Sequence, residues 1–452
     1  MQSVDSWAAI WPPLSLAVLA SIARKHGEVD LMDCNVEDDG SLKAVLARVE
    51  RFRPDVVVVN TSFPSIESDD SCAAEIRKAA PGAKTLGFGV FFTLLEKKGL
   101  EGCPGFDLAL VGEPEETFDE LLKRVETGAS LEGIAGLLWR AGGQVLMGPP
   151  RAWTADLDTL PIAARDLLRN ERYVLPNNGH PFTLINVARG CPYPCIYCIA
   201  PAYYGKKLRT HSVDYVIREV ELCMKEYGLK DFLFWEEVFT LDKEYGLALC
   251  QAIVDKKLDI TWATTTRADQ VDLEIAVAMK KAGCMMLGLG IESGDQAILD
   301  NAKKHATVQQ MKDAVAICKQ AGLKTMGHFI FGLPGETPET AENTIQFAKD
   351  LGLDYMQCYC AVPYPKTPLG EMAREKGWLL SDRWSDYDFG GSSIMNVGSI
   401  PPQAVDHARE EMFRSFYLRP GFILAQAADL LKHPAQFIQA SKFLNWMRTG
   451  KK

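Results

Sequence analysis

The stretch that decides the fold reads Ala188-Arg189-Gly190-Cys191-Pro192-Tyr193-Pro194-Cys195-Ile196-Tyr197-Cys198. Its three cysteines are spaced C-x3-C-x2-C, with Gly190 ahead of them and two prolines between. Thiols packed this tightly on one stiffened loop wrap a single object. Three thiolates on a four-iron cluster leave one iron without a protein ligand, and a small molecule can take that place. A zinc site would want a fourth ligand, which His180 or His211 could supply. Zinc knuckles, however, present two separated pairs rather than a trio. A disulfide reading leaves one cysteine over.

Downstream of this loop the pattern is a regular alternation of strand and helix. Six strands are expected, at 183–188, 231–235, 260–265, 285–291, 325–331 and 355–362, with amphipathic helices between them. Right-handed parallel crossovers of this kind curl into a barrel or partial barrel, with reactive groups at the C-terminal strand ends. Those ends carry suitable residues. The second runs into Glu236-Glu237, the third into Arg267 and the fourth into Gly290-Ile291-Glu292-Ser293-Gly294. The fifth gives Phe331-Gly332-Leu333-Pro334-Gly335-Glu336-Thr337 and the sixth Pro363-Tyr364-Pro365-Lys366-Thr367. Any one of these has a plain structural reading, as a turn, a cap or a surface ion pair. With the cysteine loop at the end of the first strand, six on one rim, in order, do not.

Upstream, residues 1–127 alternate helices and apolar strands in the manner of a doubly wound parallel sheet. Strands are expected at Glu28–Asp33, Val56–Val59, Lys84–Gly89 and Asp107–Val111. An amphipathic helix at Leu14–His26 follows Pro12-Pro13. Residues 128–180 form a bridge with a short hairpin near Gly136–Leu146, residues 181–370 the barrel, and residues 371–452 a helical extension. The fold class is therefore α/β, with two α/β units and a helical tail.

The cysteine spacing, the aromatic Tyr197 before the last cysteine and the rim motifs together resemble the radical S-adenosylmethionine (SAM) enzymes. The resemblance implies a partial (β/α)6 barrel holding a 4Fe–4S cluster on Cys191, Cys195 and Cys198. In that family SAM chelates the open iron, and an electron from the cluster breaks a carbon–sulfur bond to give a 5′-deoxyadenosyl radical. Glu236 or Glu237 is then expected at the SAM ammonium and Arg267 at its carboxylate. Glu292 and Ser293 are expected near ribose and carboxylate, and Gly332, Pro334 and Gly335 beside the adenine. Residues 1–127 resemble the Rossmann-like cobalamin-binding domain that precedes many of these enzymes. The matches are Pro12-Pro13-Leu14-Ser15-Leu16-Ala17 and Gly112-Glu113-Pro114-Glu115, while the family's usual Gly-Gly appears here as Gly87-Phe88-Gly89. Pro12, Leu14, Gly87, Gly89, Gly112 and Glu113 are the implied cobalamin contacts. That domain usually opens with a strand for which Met1–Trp11 has no equivalent, and Val90-Phe91-Phe92 follows Gly89 where bulk would narrow a corrin pocket.

The implied activity is methylation of an unactivated carbon in a small-molecule or lipid substrate, with cobalamin as methyl carrier. A low-potential donor such as flavodoxin or ferredoxin would feed the cluster. Two rivals stand beside it. One is cobalamin-linked radical cyclisation or ring rearrangement, as in anaerobic porphyrin-ring cyclases. The other is a zinc or iron–sulfur protein that binds or senses without turnover. Composition bounds all three. A formal net charge of -10 over 452 residues argues against nucleic acid as main partner. No apolar run reaches membrane-spanning length, and Met1–Ile10 lacks the features of a signal peptide. Twelve cysteines without an export signal fit a reducing cytoplasm. Cys223, Cys250 and Cys318 lie on apolar faces as small hydrophobes. Cys358 and Cys360, on one face of a strand, could bind a metal or simply pack. Lys366 could reach towards substrate or lie in solvent.

Overall fold

A computed structural model describes residues 9–175 and 178–424 and contains two sheets. The first runs in the order β1 (Val56–Thr61), β2 (Lys84–Gly89), β3 (Leu108–Leu110), β4 (Leu137–Ala141), β5 (Gln144–Met147). β1, β2 and β3 are parallel, while β4 and β5 form an antiparallel hairpin on the β3 edge. The hairpin expected in the bridge is therefore part of the first sheet. Leu137 and Leu138 are fully buried and give it an apolar face to lay down beside β3.

The strand expected at Glu28–Asp33 does not form. Arg48 takes the Asp30 carboxylate and also the Leu31 carbonyl, at 3.0 Å, so a side chain occupies an acceptor that a ladder would need. Helices Leu14–Ala23 and Glu115–Thr127 pack together on one face of the sheet through Leu19, Ile22, Phe118 and Leu121. The other face buries Phe63, Phe91, Phe92 and Phe106.

The second sheet matches the expected alternation. Its six parallel strands follow chain order: β6 (Phe182–Asn186), β9 (Asp231–Trp235), β10 (Thr261–Arg267), β11 (Cys284–Glu292), β12 (Lys324–Phe331) and β13 (Tyr355–Cys360). The described residues show no pairing between β6 and β13, so the sheet stays open. A two-stranded ribbon, β7 (Ala188–Arg189) with β8 (Arg209–Thr210), brackets the cysteine loop. Strand parity separates the two faces. Ile185, Phe234, Trp262, Leu289, Ile291, Phe329 and Phe331 point out into one core shared with the helices. The opposite positions, including Trp235, Thr265, Arg267, Gly288, His328 and Tyr359, line the inner face.

Helix ends in this unit are set locally. Ser212 caps Val213–Tyr227 by accepting from Tyr215 N at 3.1 Å, and Gly228 ends it in a left-handed turn. Thr307 and Thr337 each close a capping box.

The connecting segment ties both units down. Arg165 is fully buried, pairs with Glu219, and donates to Thr183 Oγ1 and the Leu184 carbonyl. In the helical extension, Pro402–Tyr417 packs on β13 and on helix Pro338–Asp350. Tyr387 instead stacks on Phe63 of the first unit, and Trp384 meets that ring edge-on. Cys358 and Cys360 point to the outer core beneath Pro402–Tyr417, where their thiols donate to the Arg409 carbonyl and to Asp406. They are packing groups. Cys223, Cys250 and Cys318 are buried as expected.

Candidate functional site

The cysteine loop leaves β7 through Gly190, whose φ of +97° only glycine adopts cheaply. A Cβ there would also sit 2.2 Å from the Lys207 carbonyl oxygen. The loop is then pinned from three sides. Cys191 N donates to Gly205 O (3.2 Å), Ile196 N to Ala302 O (3.1 Å), and Leu369 N to Ile196 O (3.0 Å). Cys191 and Cys195 are buried and Cys198 is partly so. Burial pushes the Cys191 thiol up and the Cys198 thiol to about 12, with the neighbouring cysteines adding to both. Among the described residues, no three His, Cys, Asp or Glu side chains converge tightly enough to grip a single metal ion. Three cysteines on one short, pinned loop supply soft sulfur donors. The donor set fits an iron–sulfur cluster better than zinc.

Around this loop the rim residues divide. Glu237 Oε2 accepts from Gly190 N at 3.1 Å. Burial raises its carboxyl to about 7, against the pull of backbone donors, Arg189 and Arg209. Glu236 turns to the opposite, outer face, where Thr264 donates to it and burial holds its carboxyl well above the usual range. The two glutamates are thus distinguished: only Glu237 borders the thiols. Arg267 lies over the Tyr193 ring, 3.7 Å from its centre, and reaches Cys195 Sγ at 3.6 Å. Its remaining donors go to Asp269 and the Lys304 carbonyl. Expected at a carboxylate of SAM, Arg267 is instead engaged by the cysteine loop itself.

Glu292 adopts a left-handed φ of +64° and pairs with Lys304 Nζ at 2.7 Å, both buried. Burial, with the Glu292 carboxylate close by, pushes the Tyr197 phenol well up. Ser293, expected to approach ribose, is fully buried and turned away. Its Oγ meets Thr344 Oγ1 at 3.0 Å and accepts from Asp295 N. The fifth-strand loop is held by Glu336, which accepts from Gly332 N, and burial raises its carboxyl to about 8. Asn301 donates to Pro334 O at 3.0 Å, and a Cβ on Gly335 would strike that amide at 2.4 Å.

On the inner face His328 Nδ1 meets the Tyr359 hydroxyl at 3.2 Å, Tyr359 in turn donates to Gln357, and His328 Nε2 has no partner. Burial keeps this imidazole below its ordinary pKa. Lys304, His328, Tyr359 and Gln357 were missed from the sequence. Single polar residues without a motif give no signal until strand register aligns them.

The first-unit residues expected at a corrin fall differently. Leu14, two residues after Pro12, packs against the apolar cluster that holds Phe182 and Leu184 of the barrel, and Trp11 meets Trp235 edge-on at 5.7 Å. A Cβ on Gly87 would lie 2.2 Å from the Phe92 ring, and one on Gly89 the same distance from Thr61 O, so both places are filled. A Cβ on Gly112, at φ +80°, would meet open space within 4 Å. Glu113 is not free for a ligand. Arg209 grips it with two nitrogens at 2.8 and 2.9 Å, Thr154 N donates at 2.8 Å, and Arg189 lies 3.3 Å away. Arg189 also donates to Glu115 at 2.6 Å. Lys366 bonds Thr93 O at 2.9 Å and pairs with Glu96, so it fastens the two units and does not reach for substrate.

Residues 185–348 match the radical SAM superfamily and residues 4–122 the B12 binding domain. An uncharacterized methyltransferase of Pyrococcus horikoshii is 33% identical over 422 residues, covering 93% of this chain and 90% of that protein. The anaerobic magnesium-protoporphyrin IX monomethyl ester cyclase of Cereibacter sphaeroides is 27% identical, covering 91% of this chain and 68% of that one. Among solved structures, the radical SAM methyltransferase TsrM from Kitasatospora setae, with cobalamin and a 4Fe–4S cluster bound, superposes with a TM-score of 0.70 at 22% identity. That match covers 81% of this chain and 76% of TsrM.

Proposed function

The chain belongs to the radical SAM enzymes that carry a B12-binding domain, and from that premise we propose that it is a cobalamin-dependent C-methyltransferase. No helix among the described residues is long and apolar enough to cross a membrane. The cluster, SAM and cobalamin, when bound, supply an adenosyl radical and a transferable methyl group. The protein's own part is binding, orientation and exclusion of water.

Cys191, Cys195 and Cys198 would hold the cluster. Arg267, stacked on Tyr193 and fixed by Asp269, would keep the Cys195 side of the loop in place. Glu237 would take the SAM ammonium, because it alone of the glutamate pair faces the thiols and its carboxylate suits a cationic amine. The buried Lys304–Glu292 pair would meet the polar groups of SAM. The Gly332–Gly335 loop would give the adenine close backbone approach. A corrin would border Gly112, with Gly87 and Gly89 playing no part. The inner-face row of Thr265, His328 and Tyr359 would receive a small-molecule substrate. All twelve cysteines are free thiols, in keeping with a cytoplasmic enzyme served by a low-potential donor such as flavodoxin or ferredoxin.

The observation that carries this reading is the pinned three-thiol loop with Glu237 against it. The deciding experiment is anaerobic turnover with SAM, reductant and candidate substrates. Methyl transfer yields S-adenosylhomocysteine together with 5′-deoxyadenosine. The likeness to a porphyrin-ring cyclase across 91% of the chain supports a second reading, radical cyclisation, for which only 5′-deoxyadenosine should accumulate.

A further inference from the structure

The Gly112-Glu113-Pro114-Glu115 stretch stands where a cobalamin contact was expected, yet both its carboxylates are spent on arginines that flank the cysteine loop. Arg189 sits two residues before Cys191, and Arg209 lies opposite it on the paired strand β8. Glu113, Glu115, Arg189 and Arg209 are all buried, at 5%, 3%, 8% and 8% exposure. Four charges in one dry place are costly unless the geometry is closed, and here it nearly is. Arg209 makes the bidentate grip on Glu113 and also donates to the carbonyls of Thr154 and Tyr204, both at 2.7 Å. Arg189 bridges Glu113 and Glu115 and donates to Asn186 Oδ1 at 3.1 Å. Burial alone would raise the Glu113 carboxyl, but the two guanidiniums outweigh it and hold it below the ordinary carboxylate range. Next in line is Glu237, which holds Gly190 N.

We propose that Glu113 and Glu115 are positioning residues for the iron–sulfur site: through Arg189 and Arg209 they clasp the cysteine loop, so that docking of the B12-binding unit sets the loop's charge balance. This rests on the proposed cluster on Cys191, Cys195 and Cys198. An interdomain ion pair too far from the loop to act on it would hold the units together and leave the cluster indifferent to which charge is removed. A clasp makes the sign matter. Reduction adds an electron to the cluster, so a nearby uncompensated positive charge favours the reduced form and an uncompensated negative charge opposes it.

The test is an EPR-monitored redox titration at pH 8 of the full chain, reconstituted with iron and sulfide, without SAM or cobalamin. Glu115→Gln leaves Arg189 undercompensated and is expected to raise the midpoint potential. Arg189→Gln leaves carboxylates undercompensated and is expected to lower it, by less, because a buried unpaired carboxylate takes up a proton. Glu115→Asp, which keeps the charge, should stay with the wild type. Arg209→Gln, expected to lower the potential as well, stands in for Arg189→Gln if that variant does not fold. Shifts of the same sign, or none, overturn the clasp. A wild-type preparation that takes up no iron and sulfide overturns the cluster reading instead.

Discussion

The two parallel sheets of this protein use the same ends of their strands for opposite purposes. In the barrel, the C-terminal strand ends converge on the cysteine loop. Glu237, Arg267, Glu292 and the Gly332–Glu336 turn all lie there, and several hold raised carboxyls or strained backbone. In the first sheet the equivalent ends are turned against the barrel. Phe63 stacks on Tyr387, the Thr93 carbonyl accepts from Lys366, and Glu113 and Glu115 meet Arg189 and Arg209. Ligands gather outside strand carboxyl ends in open α/β sheets, but a neighbouring domain can claim part of the same edge. Gly112, just past β3, borders open space, since a Cβ there would meet no atom within 4 Å.

The contrast can be broken most severely at the segment joining the two sheets. Arg165→Met removes the partner of buried Glu219 and two further acceptors' donor. It should cost about 3–5 kcal/mol of stability, read by denaturant unfolding. The glutamate pair sharpens the comparison inside the barrel. Glu237→Gln removes a charge-assisted contact and should weaken SAM binding by roughly 10- to 100-fold. Glu236→Gln, on the outer face against Thr264, should leave SAM binding within about threefold, both read by calorimetry on the reconstituted protein.

Glu237 also has a pH signature. Its carboxyl is raised from 4.5 to about 7 by burial. Between those values the folded chain holds a proton the unfolded chain has released, so the group's contribution to stability falls as pH rises through that window. SAM affinity should run the other way, weakening as pH drops below 7, where the carboxylate is lost. Glu237→Gln should flatten that profile. The smallest effect is expected at Lys366, whose pair with Glu96 is partly exposed. Lys366→Ala should cost no more than about 1 kcal/mol.

Much of the barrel was legible because its signals are local. Periodicity placed all six strands, and capping residues such as Ser212 and Thr307 fixed helix starts. The cysteine trio stood out by its spacing, and the glutamates by their place at the end of the second barrel strand. What escaped depends on contacts distant in sequence. Glu28–Asp33 alternates as a strand should, yet Arg48 captures its acceptor. Ser293 sits in a recognisable motif but turns to Thr344, and Arg267 is drawn to Cys195 by loops that meet only after folding. Glu113 looked like a ligand contact because the motif says which residue type is present, not which arginines will face it. Trp11 and Leu14 are the same case, since their partners lie on β6 and β9, more than a hundred residues on.

The account turns on whether the pinned thiols carry a cluster that opens SAM. The direct measurement is iron and acid-labile sulfide content, with 5′-deoxyadenosine formation, of the anaerobically reconstituted wild type beside Cys195→Ala. The account predicts about four irons and four sulfides per chain with SAM cleavage in the wild type, and loss of both in the variant. A wild-type protein without labile sulfide, or a Cys195→Ala protein that keeps its metal and still cleaves SAM, would contradict it.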